Sequence, residues 1–184
     1  MPFNQMGFVK GLKMLEVREV VTDEEWNAYI SIRNAVFVEE QEVSKEDEFD
    51  AYEKDSTHFL ATYNGEPAGT GRLRHYKGFM KFERVATLKK FRGKGVASAI
   101  MEMMEKRAKM KHSDCLPMMH AQVDAVSLYA KRGWTSIGEV FVECDIDHQT
   151  MVLLPKSVSH LKCLKDPNTP QEIRDFLLKW QERQ

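Results

Sequence analysis

The stretch FERVATLKKFRGKGVASAIMEMM, residues 82–104, constrains the fold more than any other part of the sequence. An apolar strand pattern leads into a basic turn with Gly93 and Gly95, and an apolar helix pattern follows from about Val96 to Lys111. Backbone N–H groups at a helix N-terminus form an anion site, and glycines let the backbone approach phosphate oxygens closely. We therefore expect KKFRGKG to bind a phosphate group. A plain basic turn with a glycine hinge is the alternative.

The order of the other elements indicates the fold class. A first strand, MLEVREVV, precedes a helix over about residues 23–37, for which Thr22 and Glu25 form a capping box. Three strands follow in THFLATYNGEPAGTGRLRHYKGFMKFERVATL, with hairpin turns at NGEP and YKG. The strands LPMMHAQV, WTSIGEVFVEC and TMVLLP come later, around the short helix DAVSLYAKRG, which Asp124 could cap and Gly133 could end. This order predicts an α/β (α+β) chain with a mixed sheet flanked by helices.

The chain divides into three parts by pattern. We expect residues 1–14 to be a flexible leader, 15–155 a single domain and 156–184 a helical extension. The extension offers a second capping box at TPQE and an apolar stripe that must dock on its own domain or on a second subunit, so a homodimer is possible. The dense acidic run at residues 39–55 predicts a solvated loop, above all from Glu46 to Glu53.

The composition limits the kinds of partner and the cellular compartment that we expect. The formal net charge is -1, which gives no basic excess for a nucleic-acid partner, and no apolar run is long enough to predict a membrane span. Cys115, Cys144 and Cys163 are scattered and lack zinc spacing, so we predict no metal site. We expect a cytoplasmic protein, and a nuclear one would have the same pattern.

The spacing of the glycines limits which classes of phosphate ligand the turn can bind. A Walker A loop is excluded, because Gly95 follows Gly93-Lys94 where a serine or threonine is required. GKGVAS fits the dinucleotide fingerprint weakly, with Ser98 in the place of the last glycine, so a Rossmann-like NAD-binding domain stays an alternative.

Two motifs carry a resemblance to a known superfamily. RGKGVA, from Arg92 to Ala97, fits the R/Q-x-x-G-x-G/A motif of the GNAT acetyltransferases, and AVSLYAKRGW resembles their A-x-x-x-Y-x-x-x-G-F, with Tyr129 at the tyrosine. The usual asparagine three residues before the alanine is Gln122 here. RNAVFVEEQEV, HFLA, GTGRLR, ERVAT, AQVDAVSLYAKRGW and DHQTM together resemble the ElaA/YjcF-like branch, from Leu15 to Pro155.

The resemblance implies a centrally splayed sheet and a function. It implies an N-acetyltransferase that moves an acetyl group from acetyl-CoA to a primary amine by direct attack in a ternary complex, with a small-molecule amine favoured over a protein. A non-catalytic acyl-CoA-binding or regulatory module on the same fold is the alternative. The coenzyme contacts that it implies are Val85, Ala86, Thr87, Arg92, Gly93, Lys94, Gly95, Val96, Ala97, Ser98 and Gln122.

The same resemblance assigns the reacting side chains. Tyr129 is the candidate general acid, with a tyrosine packed in the core as the alternative. Strand alternation places Glu83, Val85 and Thr87 on one face, so that Glu83 is the candidate general base, although it could equally pair with Arg72 or Arg74. The candidate acceptor residues are Arg33, Phe37, Glu40, Gln41, His58 and His148; for the two histidines a structural role is the alternative.

Overall fold

One mixed sheet of seven strands organises the molecule, in the order β1-β2-β3-β4-β5-β7-β6. The structure is a computed structural model, and it describes residues 14–183, so nearly all of the predicted leader lies outside the described residues. The strands are β1 Leu15–Glu19, β2 Ser56–Tyr63, β3 Glu66–Tyr76, β4 Phe79–Thr87, β5 Leu116–Gln122, β6 Trp134–Glu143 and β7 Ile146–Leu153.

The helices agree with most of the sequence patterns. The predicted helix after the glycine turn is confirmed from Val96 to Lys111, and Thr22 and Glu25 form the predicted capping box. The first helix ends at Arg33 and continues as a π-helical segment over Asn34–Glu40. The helices are α1 Asp23–Arg33, α2 Lys45–Glu48, α3 Val96–Lys111, α4 Val126–Ala130, α5 Lys162–Lys165 and α6 Gln171–Gln181.

Two predicted helix caps are wrong. Asp124 lies inside a short 3-10 turn before α4 and caps no helix. At TPQE the Thr169 hydroxyl donates to the Cys163 carbonyl oxygen instead of accepting from the first turn of α6, and Pro170 occupies the N-cap position. Tertiary contacts of the hydroxyl therefore outweigh the local capping pattern.

The sheet opens at its centre. β4 and β5 are its only parallel neighbours within residues 14–183, and they pair only between Phe79–Lys81 and Leu116–Met118. Beyond Lys81 and Met118 the two strands separate. The predicted central splay is thus confirmed, and we call the point where the strands part the fork.

Helix α3 packs closely on β3 and so fixes the position of the glycine turn. A Cβ atom at Gly69 would lie 2.7 Å from Val96 Cγ1, and one at Gly71 would lie 2.6 Å from both Ile100 Cγ2 and Met104 Sδ. Only glycine permits this approach. The start of α3 therefore sits close against the sheet, at the end of β4.

The C-terminal segment packs on the sheet of its own chain. Ile173 and Leu177 of α6 are buried in one cluster with Phe79, Leu116 and Val152. The predicted stripe is satisfied within the chain, and the homodimer stays a prediction. Within residues 14–183, no helix combines the length and the apolar character needed to cross a lipid bilayer.

The predicted solvated acidic loop is wrong in its central part. Glu48 is 2% exposed and forms ion pairs with Arg33 and Arg84, of which Arg33 is fully buried. Asp50 and Glu53 bind the buried Arg72 at 2.8 and 2.9 Å. The sequence pattern did not predict these ion pairs, because the arginines lie on elements other than the acidic segment.

Candidate active site

A cleft of about 390 Å³ opens between β4 and β5 beyond the fork. Residues of the π-helical segment, α2, α4 and the β6–β7 hairpin also line it. The cleft brings together seven of the residues predicted from the sequence: Phe37, Gln41, Glu83, Val85, Gln122, Tyr129 and His148.

The glycine turn has the geometry of an anion site. Gly93 and Gly95 have left-handed φ angles of 73° and 85°. A Cβ at Gly93 would meet nothing within 4 Å, and one at Gly95 would meet only Leu15 Cδ2, at 4.0 Å. Gly95 is the N-cap of α3 and no side chain caps the helix. The N–H groups that open α3 have no intrahelical acceptor, so the turn fits a pyrophosphate.

Beyond the fork, β4 offers free backbone groups along the cleft. The edge of β4 that faces β5 has no strand paired with it from Phe82 to Thr87 within the described part of the chain. An extended ligand with amide groups can pair with such an edge. The Thr87 hydroxyl is buried there without a hydrogen-bonding partner in residues 14–183, which also fits a polar ligand group beside this strand.

A β-bulge in β4 corrects the predicted alternation. Arg84 has a φ of 56°, and Glu83 pairs with Arg72 while Ala86 pairs with Thr70, three residues against two. Glu83 and Thr87 therefore lie on opposite faces of the sheet, contrary to the prediction. A bulge re-aims the side chains that follow it.

Arg92, in the glycine turn, is held by an ion pair. Its guanidinium binds both carboxylate oxygens of Glu40, at 2.7 and 2.6 Å, and its Nε donates to the Thr87 carbonyl oxygen. Both side chains of the pair are about two-fifths exposed. Glu40, predicted to contact the acceptor, thus contacts the predicted coenzyme loop instead.

We expect Glu40→Gln to lower the Kd for acetyl-CoA about two- to five-fold at low salt, since an exposed ion pair is weak and only modestly restrains Arg92. The change frees Arg92 for the pyrophosphate and removes a negative charge beside it. Calorimetric titration at low and high salt measures the effect, which should shrink with salt. Glu39→Gln, which loses only a partner of Asn34, is the control. Weaker binding by Glu40→Gln would contradict this assignment.

Tyr129 lies in the cleft as a buried, protonated hydroxyl. It is 7% exposed, and burial raises its pKa to about 12. No group in residues 14–183 hydrogen-bonds to its hydroxyl. Complete proton transfer to a free thiolate, whose thiol has an ordinary pKa of about 8.5, would be unfavourable. The hydroxyl is suited instead to donate a hydrogen bond to sulfur while negative charge develops on it.

Glu83 is saturated by arginines. Its carboxylate accepts from Arg74 at 2.9 and 3.1 Å and from Arg72 Nε at 3.1 Å. Burial acts to raise the pKa of this carboxyl, but the Arg74 hydrogen bonds and the Arg72 charge outweigh burial and hold the pKa at about 2. The geometry favours the ion-pair alternative over the general base, because so weak a base holds almost no proton at neutral pH.

Besides Glu40, two predicted acceptor residues do not line the cleft. Arg33 is fully buried behind it, bound to Glu48, Glu53 and Tyr29. His58 packs edge-on against Trp26 and Tyr29, with ring centroids 4.9 Å apart in both pairs, and burial lowers its pKa. The structural alternative therefore describes His58, which ties the acidic segment to β2 through the Glu53 carbonyl oxygen. Arg33 ties the same segment to α1.

The acceptor side of the cleft is joined to β5 by an amide pair. The Gln41 and Gln122 side chains exchange hydrogen bonds of 3.2 and 2.8 Å, and Phe37 lies beside Gln41 on the π-helical segment. π-helical turns often occur at functional sites. His148 Nδ1 lies 2.8 Å from the Ile146 carbonyl oxygen.

The sequence analysis missed His120 and Glu143, which both line the cleft. His120 Nδ1 lies 3.4 Å from Glu143 Oε2. Alternation along β5 could have found His120, since it lies two residues before Gln122. Glu143 gave no signal, because its place depends on a register shift in β6 between Ile137 and Phe141.

A histidine and cysteine group lies elsewhere, outside the cleft lining. The candidate ligand atoms of His75, His112 and Cys115 lie within 4.8 Å of one another. Burial raises the pKa of the Cys115 thiol to about 11, so it is protonated at neutral pH. The chemistry of the cleft does not use this group.

Comparisons with known proteins agree with this geometry. The family model described as the acetyltransferase (GNAT) domain matches residues 18–155. The uncharacterized N-acetyltransferase YjcF of Bacillus subtilis (strain 168) is 38% identical over 123 residues, which are 66% of this chain and 86% of that protein. The family and the branch inferred from the motifs are thus confirmed.

Solved structures share the fold. An acyl-CoA N-acyltransferase from Pseudomonas aeruginosa superposes with a TM-score of 0.67 and 25% identity, covering 78% of this chain and all of that one. Escherichia coli ElaA gives a TM-score of 0.69 and 23% identity over 77% of this chain and all of that one. The transfer of an acetyl group from acetyl-CoA is the general activity of the family whose model matches. The chain is an acyltransferase and belongs to the GNAT acetyltransferase family.

Proposed function

We propose that this acyltransferase moves the acetyl group of acetyl-CoA to a small primary amine by direct attack in a ternary complex. The observation that carries the proposal is the free edge of β4, which lines the cleft together with Tyr129 as far as Val85 and leads on to the glycine turn and the uncapped N-terminus of α3. This order along the chain supports binding of a thioester near Tyr129, an amide-bearing arm beside β4 and a pyrophosphate at the turn.

The residues of the turn and the strand would hold the coenzyme. The N–H groups of Val96, Ala97 and Ser98 and the charges of Arg92 and Lys94 bind the pyrophosphate. Backbone groups of Val85, Ala86 and Thr87 pair with the pantetheine amides and polarise the thioester carbonyl. Gln122, held by Gln41, borders the same arm.

Tyr129 would stabilise the leaving sulfur. As the amine attacks and the C–S bond breaks, the buried hydroxyl donates its hydrogen bond to the developing thiolate. The same apolar surroundings that raise the pKa of Tyr129 also raise that of the thiol, so proton transfer becomes less unfavourable than in water.

The shape of the cleft supports a small acceptor. The volume of about 390 Å³ must also hold the thioester arm beside Val85 and Tyr129, so the acceptor has only part of it, which Phe37, Gln41 and His148 border. Asp47 and Glu143 add carboxylates that attract a cationic amine.

The non-catalytic module stays as a second candidate. The observation that favours it is the engagement of Glu83 with Arg72 and Arg74, which leaves the predicted base unable to accept a proton at neutral pH. A catalytic site needs another group for that step.

Tyr129→Phe tests the function. We expect kcat to fall about 10²-fold, with the Kd for acetyl-CoA unchanged. The folded state should be retained, because the hydroxyl that is removed has no partner in residues 14–183. Turnover with a panel of primary amines and calorimetric titration of acetyl-CoA provide the two readouts. Unchanged kcat would overturn the role of Tyr129, and acetyl-CoA binding without turnover of any amine by the unmodified protein would favour the non-catalytic module.

A further inference from the structure

His120 stands at the fork, opposite the predicted base. The last paired residues are Lys81 on β4 and Met118 on β5, so Glu83 and His120 each lie two residues beyond the fork. Because side chains two residues apart share a face, Glu83 and His120 flank the opening on the same side of the sheet. Both line the cleft. They are therefore the two titratable groups closest along their strands to the point where a thioester would lie.

Glu83 and His120 differ in whether an atom remains free to accept a proton. Three hydrogen bonds from two arginines occupy the carboxylate of Glu83. His120 is engaged through Nδ1 alone, with Glu143 Oε2 at 3.4 Å, and no group in residues 14–183 hydrogen-bonds to its Nε2. The ring also packs edge-on against Phe141, with centroids 4.9 Å apart. Glu143 and Phe141 together fix the orientation of the imidazole.

The carboxylate also favours one tautomer of the imidazole. His120, with Nδ1 3.4 Å from Glu143 Oε2, lowers the pKa of Glu143, and an ionised carboxylate at this place attracts the proton of the ring to Nδ1. A neutral imidazole that donates from Nδ1 carries its lone pair on Nε2. A carboxylate behind a histidine fixes this tautomer and stabilises the imidazolium once it forms.

We propose that His120, oriented by Glu143, accepts the proton that the acceptor amine must lose before it attacks the thioester. This inference rests on the proposed function. His120 is then the catalytic base, and Glu143 is a positioning residue that acts through it. It also explains how the site works although Glu83 is occupied by Arg72 and Arg74.

The proton balance of the step is closed. His120 Nε2 takes one proton from the ammonium group, and the freed nitrogen lone pair forms the C–N bond to the acetyl carbon. The C–S bond breaks, its electron pair stays on sulfur, and the Tyr129 hydroxyl donates a hydrogen bond to the thiolate. The amide nitrogen loses its second proton to solvent, the thiolate takes one proton from solvent, and the imidazolium releases its proton to solvent.

The first test compares turnover with coenzyme binding. We expect His120→Gln to lower kcat at least about 10²-fold with acetyl-CoA affinity unchanged, measured with the amine that the unmodified protein acetylates fastest in the panel. His160→Gln is the matched control, because His160 is exposed and contacts the Ser113 carbonyl oxygen away from the cleft. Wild-type kcat in His120→Gln would overturn the inference and leave the proposed function standing.

The second test separates positioning from folding. We expect Glu143→Gln to lower kcat about tenfold and to move the acid limb of the kcat/KM profile about one pH unit lower, because an anion that favours the imidazolium is lost. A merely structural role would leave the limb in place. The other charged or titratable groups that line the cleft are Asp47, Glu48, Asp50, Tyr52, Arg74, Lys81, Glu83, Arg84, Tyr129, Cys144 and His148.

The third test needs no acceptor. Nitrogen-15 NMR of the imidazole at pH 8.5 should show His120 with its proton on Nδ1 and a free Nε2. A proton on Nε2 would overturn the inference, whether or not an amine substrate has been found. If the unmodified protein fails to bind acetyl-CoA in the titration, the proposed function itself fails, which is a different result from either outcome for His120.

Discussion

Replacing Arg72 with leucine is expected to lower the free energy of unfolding by about 3–5 kcal/mol, the usual cost of breaking a buried ion pair from one side. Arg72 is fully buried and binds Asp50, Glu53 and Glu83 at 2.8 to 2.9 Å. The change leaves these carboxylates with too little positive charge. Asp50 and Glu53 also hold the acidic segment against the sheet, so the wall of the cleft should loosen as well.

Urea denaturation followed by circular dichroism measures this cost. Arg18→Leu is the control, because Arg18 forms an exposed pair with Glu25 and should lose less than about 1 kcal/mol. A loss of less than 1 kcal/mol in Arg72→Leu would contradict a stabilising role for the buried network.

The same network predicts acid sensitivity. Burial acts to raise the pKa of both Glu83 and Asp50, but hydrogen bonds and charges of the arginines hold each pKa at about 2 in the folded protein. Because the folded pKa lies below the unfolded one, the stabilisation is complete above about pH 5 and is lost as the pH falls towards 2. In Arg72→Leu this part of the pH dependence should shrink.

Gly95→Glu is expected to weaken acetyl-CoA binding at least 100-fold, or about 2.7 kcal/mol. Gly95 has a φ of 85°, which costs a side chain about 1–2 kcal/mol. The carboxylate would also stand at the N-terminus of α3, where the turn is built to hold an anion. Charge repulsion and steric overlap with the pyrophosphate add to the backbone cost.

Two further variants separate these contributions. Gly95→Ala adds only the backbone cost, since its Cβ meets nothing closer than Leu15 Cδ2 at 4.0 Å, and should weaken binding less than Gly95→Glu. Gly65→Glu is the matched control, because Gly65 also has a left-handed φ, of 83°, and open space around its Cβ. Gly65 lies in the β2–β3 hairpin turn, so the Kd of this variant for acetyl-CoA should not change. Micromolar affinity retained in Gly95→Glu would place the coenzyme elsewhere.

Local patterns in the sequence predicted the elements well. The limits of α3 and the box at Thr22 follow from residues that are near one another in the chain, and the central splay followed from the family resemblance. Two of the errors share another origin. The burial of Glu48 and the bulge at Arg84 depend on partners that are distant in sequence, and propensity carries no information about them.

The residues of the candidate site also fall into those that local motifs predicted and those that only the strand pairing brings together. The glycine turn and Tyr129 were predicted because each belongs to a contiguous motif. His120 and Glu143 are brought together by the register of three strands, β5, β7 and β6, and the shift in β6 that places Glu143 leaves no mark in composition or spacing. The engagement of Glu83 was open in the sequence for the same reason, since it depends on the register that brings both Arg72 and Arg74 of β3 to it.

The docking of α6 has a practical consequence for protein production. A fragment trimmed to the family match at residue 155 would strip Ile173 and Leu177 from Phe79, Leu116 and Val152, and would expose that apolar sheet face to water. The family match thus ends before the part of the chain that packs as one folded unit. Expression of this enzyme needs the C-terminal tail, although the tail contributes no group to the cleft.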